Sequence, residues 1–89
     1  MQTVAVSVSN KDGTILLPRV FVALFLDEQS QQRRGKLTLS AGQHLFSENY
    51  YELLTGDGQS FEIFVSSVSP PDVGGFCTVK FTVSDSGRL

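Results

Sequence analysis

The stretch Arg19-Val20-Phe21-Val22-Ala23-Leu24-Phe25-Leu26 decides how this chain is read. Its β-branched and aromatic content marks a β-strand, yet both of its alternating rows are apolar. Val20, Val22, Leu24 and Leu26 point to one face, and Phe21, Ala23 and Phe25 to the other. A strand with one wet face alternates apolar with polar residues, so something is expected to cover the second row.

Working outward, Val4-Ala5-Val6-Ser7-Val8-Ser9 alternates with its valines on one face, and Asn10-Lys11-Asp12-Gly13 reads as a hairpin turn in which glycine takes a positive φ. Thr14 to Leu17 forms a further short run. Pro18 cannot donate to a ladder, so a strand is expected to end or bend there, or to lie at an edge. On the other side, Glu28 to Lys36 is polar and without period, which predicts a solvated loop. Leu37 to Ser40 alternates again.

The segment around Leu45 to Leu54 has two readings. Ser47 can cap a short helical turn over residues 47–55 that stops at Gly56. Alternatively, Tyr50 to Leu54 pairs with Ser60 to Val65 across the turn Thr55-Gly56-Asp57-Gly58-Gln59. The paired tyrosines and the Gly-Asp-Gly turn favour the hairpin. The last run is well marked, with Cys77, Val79, Phe81 and Val83 inward and Thr78, Lys80 and Thr82 outward.

Six or seven short strands divided by turn signals predict an all-β fold, a β-sandwich or a small barrel, and the expectation adopted is a small antiparallel β-sandwich of immunoglobulin-like or related type, as one domain over residues 1–89. The chain has no tryptophan and only one cysteine, so the Cys…Trp…Cys core of true immunoglobulin domains is missing. Its 40% hydrophobic content and seven phenylalanines suffice for a core. The net charge of −2 argues against nucleic acid or an anionic membrane as partner. The start lacks a basic, continuously apolar leader, and no run approaches the length of a membrane span. With a single cysteine, a reducing, intracellular setting is expected.

Catalytic chemistry is not expected. His44 stands in a turn-like stretch, and no serine occupies a nucleophile elbow. Cys77 lies in an inward register, where cysteine behaves as a small hydrophobe, so a thiol enzyme built on Cys77 and His44 is the remote alternative. A second alternative is a Ca²⁺-dependent binding domain. If strands alternate in direction, Asp27, Glu28, Asp57 and Asp85 fall at one end and Asp12 and Asp72 at the other. Turn preference accounts for these aspartates without an ion, and Arg33 and Arg34 can neutralise them, so neither a metal nor a cofactor is expected.

The function expected is a non-catalytic protein-interaction or assembly module. Phe21, Ala23 and Phe25, with Tyr50 and Tyr51, are the candidate partner-binding residues. Two exposed phenylalanines are more apolar area than a monomer usually leaves as one patch. The expected partner is a second copy or a larger protein.

Overall fold

The alternating runs become six antiparallel strands: β1 (Gln2–Ser9), β2 (Ile15–Asp27), β3 (Gln32–Leu39), β4 (Asn49–Thr55), β5 (Ser60–Val68) and β6 (Cys77–Val83). In the computed structural model, which describes residues 2–40 and 42–84, they close into a barrel in the order β1-β2-β3-β6-β5-β4. The all-β class stands, but the expected sandwich of two separate sheets gives way to a closed wall. Two seams make the closure: β1 pairs with β4 from Val6↔Thr55 to Ser9↔Glu52, and β3 pairs with β6 from Arg34↔Thr82 to Leu39↔Cys77.

The chain forms two three-stranded meanders, β1-β2-β3 and β4-β5-β6, and the seams join them. β3 and β4 stand three strands apart in either direction, so segment 40–48 must cross one end of the barrel to connect them. On that crossing Leu45 is 3% exposed and joins the core. Tyr51, inward from β4, accepts a hydrogen bond at its hydroxyl from the Phe46 backbone N–H at 2.9 Å, tying the crossing to the wall.

The inward rows are mostly valine, leucine and isoleucine, side chains small enough for a six-stranded interior. Val8, Val22, Ile63, Val65 and Val79 are completely buried, and no charged or polar side chain accompanies them among the described residues. Gly35 is the exception to the pattern. It faces inward from β3 against the ring of Phe81, which fills the space its side chain would have taken.

This arrangement decides between two pairs of open readings and corrects one expectation. The runs on either side of Pro18 are one strand that bends there, which sets the count at six rather than seven. Between Val6 and Val8, β2 advances from Val20 to Leu17, so it carries an extra residue at Pro18-Arg19, and a second one falls between Leu17 and Ile15. The β2–β3 ladder begins only at Val22↔Leu37, so proline sits on a bulge with a ladder on one side alone. Next, the solvated loop expected over Glu28 to Lys36 shrinks to a tight turn, because Gln32 to Lys36 belongs to β3. Its period was hidden by an inward glycine where a hydrophobic residue is looked for. Finally, residues 47–55 hold no helical turn. The hairpin reading is the observed one, with Tyr50↔Phe64 and Leu53↔Phe61 in register, and Gly58 at φ +90° in its turn.

Candidate interaction face

β2 carries the face. Below the bulge it pairs on both sides, with β1 from Val20 and with β3 from Val22, and its alternation is strict. Val20 and Val22 are buried, whereas Phe21 turns outward and is 63% exposed. Ala23 and Phe25 follow in the same outward row and are half-buried. Four residues separate Phe21 from Phe25, a row of about 13 Å at the usual strand rise. No described segment lies over it, since the only long crossing caps the barrel end and residues 49–55 form the wall.

Neighbouring strands extend the face differently at its two ends. At the upper end Phe21 stands opposite Ala5, and the Arg19 guanidinium lies 5.8 Å from its ring centre. Beside them runs a groove of about 390 Å³ lined by Ala5, Ser7, Pro18, Arg19 and Leu54. At the lower end Phe25 stands opposite Arg34, and Ala23 opposite Lys36. Lys36 is in turn directly opposite Lys80 of β6. A shallow cavity of about 260 Å³ opens there between Phe25, Asp27, Arg34, Lys36, Ser66 and Lys80. Arg34 Nε lies 3.3 Å from Asp27 Oδ2, an ion pair whose alignment falls short of a hydrogen bond.

Of the two tyrosines singled out in the sequence, the structure separates one from the other. Tyr51 points into the core at 4% exposure and has no surface to offer. That is a correction, and its cause is the alternation of adjacent strand residues. Tyr50 points outward at 52% exposure and packs on Phe64, ring centres 5.0 Å apart. It does not join the β2 row. The Lys11 ammonium, from the β1–β2 turn, sits 5.8 Å from the Tyr50 ring, so the residue belongs to the opposite end of the barrel wall from Phe25. Sequence reasoning passed over Phe64 and Leu54 as contributors, although both lie in outward registers that the Tyr50–Leu54 hairpin implies.

The remaining chemical candidates do not converge. The turns holding Asp27, Glu28 and Asp57 do share one end, as strand parity requires, while Asp85 lies outside the described residues. No three metal-ligating side chains cluster among the described residues. The two aspartates serve their own turns: Asp27 accepts the Gln29 N–H at 3.1 Å, and Asp57 accepts from the Thr55 hydroxyl and from the Gln59 N–H at 3.3 Å. Cys77 is half-buried against the core, and His44 stacks on Phe46 at 6.2 Å rather than on a nucleophile.

These turn bonds give a pH dependence. The Thr14 backbone N–H, and then its hydroxyl, hold the Asp12 carboxyl below its ordinary value of 3.8. The Thr55 hydroxyl and the Gln59 N–H do the same for Asp57. A carboxylate lowered by folding stabilises fully above its unfolded pKa, and that stabilisation is lost as pH falls through the folded value. The melting temperature is therefore expected to be level in this contribution from neutrality down to about pH 5 and to drop below about pH 4. In the double variant Asp12→Asn, Asp57→Asn the drop shrinks, as thermal melts across that range will show.

No protein-family model, no curated protein and no solved structure matches this chain.

Proposed function

We propose that this barrel is a non-catalytic protein-interaction or assembly module that docks through the outward face of β2. The observation that carries the reading is Phe21. A phenylalanine 63% exposed, flanked by Ala5, Arg19 and an apolar groove on a regular strand, is a rigid anchor of the kind that dominates binding energy at interfaces. Its position on a strand of the wall, rather than on a loop tip, means that no backbone has to be ordered when a partner buries it. An accessory or structural subunit, including one from a viral or phage particle, and a small protein inhibitor both fit a domain that offers a preformed face and no reaction centre. An intracellular setting suits the single free thiol.

Light scattering of the purified protein, with a pull-down alongside, tests this. The wild type is expected to run above monomer mass or to retain one dominant partner. Phe21→Lys is expected to lose that association while melting within about 1 kcal/mol of wild type, since the side chain stays in solvent. Association that survives Phe21→Lys unchanged sinks the proposal.

A further inference from the structure

The face around Phe25 and the face around Tyr50 carry opposite charge, and both keep a like-charged pair directly opposed across a ladder. On β3 and β6, Lys36 faces Lys80 in register, with Arg34 two residues along the same outward row. These three cations have Asp27 as the acid beside them. On β4 and β5, Glu52 faces Glu62 in register, and Glu48 precedes the same strand. These three acids have Lys11 beside them, paired with Glu62. Like charges directly opposed across strands repel, so each pair costs the isolated barrel stability. The two clusters lie on different strand pairs of the six-stranded ring, β3–β6 and β4–β5, which adjoin through the β5–β6 ladder on one side and have β1 and β2 between them on the other, so they face different directions and one molecule can engage both at once.

Each cluster also surrounds an aromatic group. The cations border Phe25 and the Ala23 row, and the acids border the Tyr50–Phe64 stack. An aromatic centre rimmed by charge is the usual anatomy of an interface, and complementary rims fix its register. A standard interface takes about 800 Å² from each partner. The barrel exposes 5729 Å², room for two such faces.

Resting on the interaction reading above, we propose that the partner of the β2–β3–β6 face is the β4–β5 face of a second copy of this chain. The contact joins two different surfaces, so it is head-to-tail. Repeated, it builds a ring where the rotation closes and a filament where it does not.

Charge reversal on each face in turn tests this. One variant carries Lys36→Glu with Lys80→Glu, and the other Glu48→Lys with Glu52→Lys, which leaves the Lys11–Glu62 pair in place. Sedimentation or light scattering of the wild type is expected to show mass rising past the dimer with concentration and falling as salt is raised. Each variant alone is expected to be monomeric and folded: Glu52→Lys stands opposite Glu62 and relieves a repulsive pair, so that variant melts at or above wild type, whereas Lys36→Glu with Lys80→Glu exchanges one like-charged pair for another and melts close to wild type. Mixing the two variants is expected to restore complexes containing both, since each then meets an oppositely charged face. A wild type that associates without regard to salt or to either reversal overturns the head-to-tail contact and leaves the Phe21 reading standing. Two folded monomeric variants that ignore each other on mixing overturn it as well. A wild type monomeric at every concentration overturns it too, and the Phe21 pull-down then decides the broader reading separately.

Discussion

A Val22→Lys chain is expected not to fold at 25 °C. Val22 is fully buried and is held on both sides, opposite Val4 on β1 and Leu37 on β3. The core around it holds no described acidic side chain that could pair with an ammonium group. An unpaired buried charge costs several kcal/mol even after the surroundings relax. A domain of this size has about 5–15 kcal/mol of stability in all, and a small one lies toward the lower end. Circular dichroism should show no cooperative melt. One residue away, Phe21→Lys should melt almost as the wild type does. The contrast between adjacent positions is the experiment, because it tests the direction of every side chain in β2 at once. If the two variants unfold alike, the second row is covered by the protein itself and the interaction face does not exist.

Gly35→Val is expected to be the most damaging conservative-looking change in the chain. A Cβ at this position would lie 2.3 Å from Phe81 Cζ, 2.6 Å from Cε1 and 3.0 Å from the Ala23 carbonyl oxygen. Phe81 is 1% exposed and its ring already occupies the space in front of Gly35. Overpacking of this kind costs about 3 kcal/mol or more, which for a domain this small lowers the melting temperature by more than about 10 °C. The double variant Gly35→Val, Phe81→Leu should recover part of the loss, with a coupling of about 1–3 kcal/mol between the sites. Strict additivity would show that the ring and the glycine do not share the space.

Those two positions also show what could be read without coordinates. Alternation identified the inward row Val20, Val22 and Leu24 and the outward row Phe21, Ala23 and Phe25, because period two is a local property of extended chain. The Tyr50–Leu54 hairpin was legible for the same reason, through its glycine-bearing turn. Closure was not. Whether strands pair into two sheets or one ring depends on contacts such as Val6↔Thr55, between residues far apart in the chain. The first half of β3, Gln32 to Lys36, was read as loop because its inward position 35 is a glycine that makes room for Phe81, a fact held in another strand. Pro18 misled in the same way: a bulge with a ladder on one side tolerates it, and only the start of the β2–β3 ladder at Val22 reveals that. Within the candidate site, Phe21 was legible and Tyr51 was not separated from Tyr50. The charge rims were invisible, since Lys36 and Lys80, or Glu52 and Glu62, become neighbours only across a ladder.

The end-crossing segment 40–48 sets the order in which this chain can acquire its structure. Each meander forms through short turns, at a small cost in loop closure. The two seams are another matter: their partners are separated by roughly 40–50 residues, as in Ser9↔Glu52 and Arg34↔Thr82. Neither can be zipped until the chain has doubled back across the barrel mouth and Leu45 has found its seat. Refolding should therefore lie in the millisecond-to-second range typical of barrels dominated by non-local pairing. For that interval each half presents two bare strand edges, and a nascent meander that meets another chain's meander can complete the same seams between molecules. Exchange of halves between copies is thus the misfolding route to expect at high concentration.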